Sequence, residues 1–184
     1  MNSIKCSFIG LGKMGRELCA RIGRAGFRTL AYDISPDASK FAEENYENVT
    51  YSELESAVKN SAVVFSCLPN SHHVSEVVNN FLQQKGTLNK VQYWVDTTSG
   101  HPGESQKIAS ELMSKDVIFF DCAVSGGPAG ATAGTLTAMV GGDHSAFGEV
   151  QSIISSFAKN IVLLGPSGEG HAVKAVNNTL LAAN

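Results

Sequence analysis

Short apolar, β-prone runs alternate with helical stretches along almost the whole chain, and this alternation limits the possible folds more than any other feature. The runs are Ile4–Ile9, Phe27–Tyr32, Ala62–Leu68, Val91–Val95, Val117–Phe120, Leu136–Val140 and Ile161–Leu164. Between them, Lys13–Ala25, Glu104–Met113 and Ala146–Phe157 have helical periodicity. In Val74–Leu82, Val74, Val77, Val78, Phe81 and Leu82 form an apolar stripe. Ser35-Pro36, Ser52 and His101-Pro102 stand where helices should begin, as caps or first-turn prolines. Strands that alternate with helices build βαβ units and a mostly parallel sheet. The runs are too continuously apolar for a sheet with one wet face. The expectation is an α/β fold, a doubly wound, mostly parallel sheet with helices on both faces. No repeat or linker interrupts residues 1–164, which read as one doubly wound domain. Residues 165–184 read as a helix leaving it.

Composition narrows the function classes. Of 184 residues, 43% are hydrophobic and 17% charged, which is enough apolar side chain for a core. That composition excludes intrinsic disorder. No apolar run approaches the ~20 residues of a membrane span. A net charge of −3 argues against a nucleic-acid partner, which would call for a basic patch. Cys6, Cys19, Cys67 and Cys122 show no CxxC spacing, which points to a reducing, intracellular compartment. The N-terminus opens into a strand with no signal-peptide pattern.

Gly10-Leu11-Gly12-Lys13-Met14-Gly15 is G-x-G-x-x-G between a strand and a helix. In that context Gly10 permits the tight turn, Gly12 lets the backbone approach a pyrophosphate, and Gly15 allows close helix–strand packing. The helix N-terminus then offers N–H groups to the phosphates. Asp33 ends the next strand, where a carboxylate accepts from ribose hydroxyls and repels a 2′-phosphate. NAD is therefore expected rather than NADP, and residues 1–164 read as a dinucleotide-binding domain of the Rossmann type. The alternative is an ordinary glycine-rich turn.

Two further segments fit the same pocket. Cys67-Leu68-Pro69-Asn70-Ser71 and Asp96-Thr97-Thr98-Ser99 each end a strand, and ligands of such sheets bind outside the carboxyl ends of strands. Each could equally be a capped turn. His72-His73 has no carboxylate spaced to complete a metal site, so no metal is expected.

A second glycine cluster, Asp121 to Ala131, reads as a long loop whose N–H groups can converge on a carboxylate, with the Ser125 hydroxyl as a further donor. The last cluster is Gly165-Pro166-Ser167-Gly168-Glu169-Gly170-His171, followed by Lys174 and Asn178. On a helix beginning near Gly170, Lys174 and Asn178 share one face. The ammonium could exchange a proton with a substrate hydroxyl that the amide orients. A solvated surface pair is the alternative.

Taken together, four motifs in order make the chain resemble the β-hydroxyacid dehydrogenase family, most closely its 3-hydroxyisobutyrate dehydrogenase group. They are the turn Gly10–Gly15 with Asp33, Asp96–Ser99 with Pro102, Asp121–Ala131 with Gly134 to Gly142, and Gly165-x-x-Gly168-x-Gly170-x-x-x-Lys174-x-x-x-Asn178. The resemblance spans the chain but only the N-terminal part of a family member.

It implies that Lys174 is the general acid/base at the 3-hydroxyl, supported by Asn178. Ser125, Gly126 and Gly127 would hold the substrate carboxylate. Gly10, Leu11, Gly12, Lys13, Met14, Gly15, Asp33, Leu68, Pro69, His73, Thr98 and Ser99 would form the cofactor site. His73 stands where the family often has Asn, and His171 where it often has Gln. The expected partners are a small hydroxy acid and, in a full-length enzyme, a second copy of the chain. The expected location is mitochondrial or cytoplasmic.

An all-helical C-terminal domain is expected to be absent, so that these residues bind NAD but turn over poorly. The alternatives are a non-catalytic cofactor-binding scaffold, a reductase of small semialdehydes such as tartronate or succinic semialdehyde, and an imine reductase. Lys174 and Ser125 argue against the scaffold, and Lys174 also disfavours the imine reductase.

Overall fold

A computed structural model of the chain describes residues 5–183. Ile4, the first residue of the expected opening strand, and Asn184 lie outside the described residues. Among the described residues, eight strands alternate with eight helices. They are β1 (Lys5–Ile9), α1 (Gly15–Arg24), β2 (Arg28–Tyr32), α2 (Pro36–Asn45), β3 (Val49–Tyr51), α3 (Leu54–Lys59), β4 (Val63–Ser66) and α4 (Ser71–Gln83). Then follow β5 (Tyr93–Asp96), α5 (Pro102–Met113), β6 (Ile118–Ser125), α6 (Gly127–Ala133), β7 (Leu136–Gly141), α7 (Phe147–Ile154), β8 (Ala158–Gly165) and α8 (Glu169–Ala183).

The strands form one sheet in the order β3-β2-β1-β4-β5-β6-β7-β8. The order reverses between β1 and β4, which pair in parallel, so a crevice opens at their carboxyl ends. Successive strand residues feed opposite apolar faces, because side chains alternate along a strand. Phe8, Phe65, Val95 and Phe120 pack with Leu18 and Ile22 of α1 and Val150 and Ile153 of α7. Their neighbours Ile9, Val64, Trp94 and Phe119 pack with Val74 and Phe81 of α4 and Ile108 and Leu112 of α5. Both faces are thus covered, as the continuous apolar runs require. No described helix is long and apolar enough to cross a membrane.

Three local readings change. Asp121–Ser125 is not part of a loop: β6 runs through it, and α6 takes up Gly127–Ala133. This connection is too short for the crossover that a parallel neighbour needs, so β7 returns antiparallel to β6. Ser52 does not begin a helix. Its N–H bonds Ala31 O at 3.1 Å, continuing the β2–β3 pairing, and Glu53 stands at the N-cap of α3 instead. The three-residue strand β3 was too short to show a period. Ser35 and His101 do cap α2 and α5, each accepting a backbone N–H and each followed by proline.

Candidate active site

The glycine turn lies between β1 and α1, and its three glycines have different duties. Gly10 has φ +95°, a conformation that costs glycine nothing. A Cβ there would also meet Leu68 Cδ2 at 2.9 Å and the Cys67 carbonyl carbon at 3.0 Å. A Cβ on Gly15 would lie 3.0 Å from the Gly10 carbonyl carbon, closer still to its oxygen, and 3.2 Å from Cys67 Cβ. Gly12 is exposed, and nothing lies within 4 Å of its added Cβ. Open space at Gly12 and tight packing at the other two glycines is the pattern a phosphate cradle needs. No side chain caps the N-terminus of α1, so no protein carboxylate or hydroxyl competes with an anion there. Lys13 is exposed and Met14 half-buried beside them.

Asp33 closes the turn from the end of β2. Its Oδ2 accepts the Leu11 N–H at 2.6 Å and its Oδ1 the Ser35 N–H at 2.8 Å. Its own N–H donates to Ser39 Oγ at 3.0 Å. The carboxylate is therefore held at the lip of the phosphate cradle, where a ribose would follow. The residues present fit a dinucleotide.

The segments after β4 and β5 are laced together. Leu68 N–H donates to Thr98 Oγ1 at 3.0 Å, and Thr98 N–H to Asp96 Oδ1 at 3.1 Å. Thr98 is buried, so its hydroxyl serves the scaffold, while Ser99 and Pro69 are exposed at the crevice. His73 is exposed on the first turn of α4, where its N–H and Nδ1 lie 3.3 and 2.8 Å from Asn70 Oδ1. His72 faces Glu76 at 3.4 Å on the exposed side of that helix. Burial pushes the Cys67 thiol up to about 11, so it is a packing residue rather than a nucleophile.

The lysine helix is anchored by a residue whose role the sequence did not reveal. Asp121 on β6 is buried, and its two oxygens accept the N–H groups of Gly168 at 2.6 Å and His171 at 2.8 Å. It thus satisfies donors at the start of α8 and suits the helix dipole. Burial pushes its carboxyl above the ordinary range, and the backbone donors oppose that. The glycines make the docking possible. A Cβ on Gly170 would sit 2.9 Å from Asp121 Oδ2, and one on Gly141 would sit 2.5 Å from Oδ1. An acid inside an apolar strand run was the available signal, since aspartate is seldom buried without partners.

Lys174 follows on α8, half-buried, and burial lowers its ammonium below the usual lysine value. Asn178 is exposed one turn further on. The neighbouring Asn177, which the motif reading passed over, is half-buried, with its Nδ2 unpartnered among the described residues. Ser125 ends β6 half-buried, and Gly126 (φ +128°) and Gly127 (φ +64°) turn the chain into α6. The φ of Gly126 suits glycine alone, while that of Gly127 is close to those of Asn48 and Asp116.

Comparison with known proteins agrees with this geometry. Residues 5–165 match the family described as the NAD binding domain of 6-phosphogluconate dehydrogenase. The mouse mitochondrial 3-hydroxyisobutyrate dehydrogenase is 34% identical over 178 residues, 95% of this chain and 52% of that protein. The 2-(hydroxymethyl)glutarate dehydrogenase of Eubacterium barkeri is 34% identical over 188 residues, covering 99% and 60%. A solved structure of Mycobacterium tuberculosis 3-hydroxyisobutyrate dehydrogenase with L-serine superposes with a TM-score of 0.88 at 28% identity, covering 97% of this chain and 60% of that one. The chain thus spans about half to three-fifths of the length of these relatives. With the glycine turn, the Asp33 lip and the matched sheet in place, the chain belongs to the family of NAD-binding domains found in 6-phosphogluconate dehydrogenase and the β-hydroxyacid dehydrogenases.

Proposed function

We propose that this chain serves hydride transfer between NAD and the 3-hydroxyl carbon of a small 3-hydroxy acid resembling 3-hydroxyisobutyrate. On this reading residues 1–164 hold the cofactor, and residues 165–184 present the group that moves the proton. The observation that carries it is Lys174. Its ammonium is weakened by burial, on a helix anchored to the same strand that ends in Ser125.

Bound NAD supplies the hydride acceptor. Gly12 and the uncapped start of α1 hold the pyrophosphate, and Asp33 accepts from the ribose hydroxyls. A 2′-phosphate would meet the Asp33 charge, which favours NAD over NADP. Ser125 Oγ and the N–H groups of Gly126 and Gly127 hold the substrate carboxylate. Neutral Lys174 Nζ takes the proton of the substrate hydroxyl in the oxidative direction and returns it in reverse. Lowering its pKa toward the working pH is what such a group needs. Asn178 orients the same hydroxyl.

The relative crystallised with L-serine supports this substrate class, since serine is itself a small acid with a 3-hydroxyl. Four free cysteines suit a reducing compartment.

The test is a panel of small 3-hydroxy acids with NAD and NADP side by side, followed by NADH absorbance in the complete enzyme, wild type and Lys174→Ala. The reading expects the variant to bind NAD normally and to lose turnover relative to wild type. Equal turnover in the two, or a preference for NADP, overturns it. Normal NAD binding with no Lys174-dependent turnover on any acid favours a cofactor-binding scaffold.

A further inference from the structure

His171 sits where four elements meet, and it is 1% exposed. Its N–H is held by Asp121 of β6. Its Nδ1 lies 2.7 Å from Ser105 Oγ of α5. That hydroxyl also lies 3.2 Å from His101 O, to which it can donate, and the imidazole tautomer sets which of Nδ1 and Oγ donates between the two. The ring also packs on the segment between β5 and α5: a Cβ on Gly100 would fall 2.5 Å from Nδ1. The same segment is tied to α4, where His101 N–H donates to Ser71 Oγ at 2.8 Å. Nε2 is buried with no partner among the described residues. The carboxylates of Asp96 and Asp121 are charged neighbours of the ring. A leucine would fill the space without stranding a polar atom, so packing alone gives no reason for an imidazole.

We propose that His171 is a positioning residue that couples the segment carrying Thr98 and Ser99 to the helix carrying Lys174, with the Nδ1–Ser105 hydrogen bond as the latch. The proposal rests on the cofactor role proposed for that segment and on Lys174 as the proton-moving group. Lys174 follows His171 by three residues, less than one helical turn. A rotation of α8 about this point therefore displaces Nζ relative to the nicotinamide end of the site. The backbone bonds of Asp121 fix where α8 starts. The ring fixes its rotation against the segment after β5.

The test uses His171→Leu, His171→Gln and Ser105→Ala in the full chain. Glutamine can donate from its amide toward Ser105, whereas leucine cannot. Ser105→Ala removes the hydrogen-bond partner of Nδ1 and leaves the ring in place, so it carries the test if the leucine variant does not fold. The first readout is amide hydrogen exchange with and without NAD, which needs no turnover. NAD is expected to slow exchange at Thr98–His101 in every variant, and at Gly168–Ala172 only in wild type and His171→Gln. Transmission to Gly168–Ala172 in Ser105→Ala or His171→Leu equal to wild type overturns the coupling. Absence of NAD protection at Thr98–His101 in the wild type overturns the cofactor reading and the coupling with it. The second readout is kinetic. In the leucine and alanine variants kcat is expected to fall roughly 10- to 100-fold with KM for NAD little changed, because misplacement by about an ångström costs that much. Glutamine should restore kcat. A loss confined to KM, or no rescue by glutamine, overturns the latch.

Discussion

Gly12→Ala and Gly15→Ala place the same methyl group three residues apart and should fail in opposite ways. At Gly12 nothing lies within 4 Å of the new Cβ. The fold should accept it, and the stiffer unfolded chain should favour the variant by about 0.4–1 kcal/mol. The methyl does, however, fill the space where a phosphate oxygen must reach the backbone. Losing one hydrogen bond to a charged group costs about 1.5–3 kcal/mol, which is roughly a 10- to 100-fold rise in Kd for NAD. At Gly15 the Cβ would sit 3.0 Å from the Gly10 carbonyl carbon and 3.2 Å from Cys67 Cβ. Neither the turn nor β4 is free to yield, so α1 must move. Overpacking of this kind costs about 1–3 kcal/mol. For a domain of this size that lowers Tm by roughly 2–12 °C. Calorimetric titration with NAD and thermal melts of the apo chain read the two effects separately. If Gly12→Ala binds NAD like the wild type, or if Gly15→Ala melts like it, the division of labour within the turn is wrong.

Asp33→Asn removes the charge and keeps only one of the two acceptors that hold the Leu11 and Ser35 N–H groups; the Kd ratio of NADP to NAD should fall by about tenfold, on the order of the Coulomb energy of close charges in water. Burial raises the Asp96 carboxyl above the ordinary range, so the folded protein binds that proton more tightly than the unfolded chain does. Its contribution to stability is complete below the ordinary carboxylate value and lost as pH rises through the raised one. Urea midpoints should show Asp96→Asn gaining on the wild type as pH rises from mildly acidic to neutral, and a constant difference would contradict the assignment. Burial lowers Lys174 instead, so its desolvation cost is present below the folded-state value and disappears as pH rises toward the ordinary lysine value. Lys174→Met should melt no lower than wild type at neutral pH while losing turnover.

The sheet was legible because its strands feed two buried faces, and that leaves apolar runs that no other class of sheet requires. The glycine turn was legible because each glycine answers a separate local demand. Asp121 was hidden for the opposite reason. Its partners, the N–H groups of Gly168 and His171, lie 47 and 50 residues away in sequence, and no local pattern announces a contact of that range. Thr98 and Ser99 look interchangeable as hydroxyl residues. Only the bond from Leu68 to Thr98 shows that one is committed to the scaffold and the other is exposed. The direction of β7 followed from the brevity of α6, a helix that the sequence had disguised as a glycine-rich loop.

β6 carries both Asp121, which seats the lysine helix, and Ser125, which leads into the turn proposed to hold the substrate carboxylate. An even spacing puts both on one side of the strand, about 13 Å apart at the usual rise per residue. On the proposed function the strand would be a ruler laid between the two ends of the substrate. A flexible connection there would tolerate acids of many lengths. A hydrogen-bonded strand in mid-sheet cannot stretch, so with the roles proposed for Ser125 and Lys174 it would sort acids by the number of carbons between carboxylate and hydroxyl. Changing that number would call for a shift in where α8 is seated, and mutations confined to the glycine turn after Ser125 should alter affinity well before they alter the length of acid accepted.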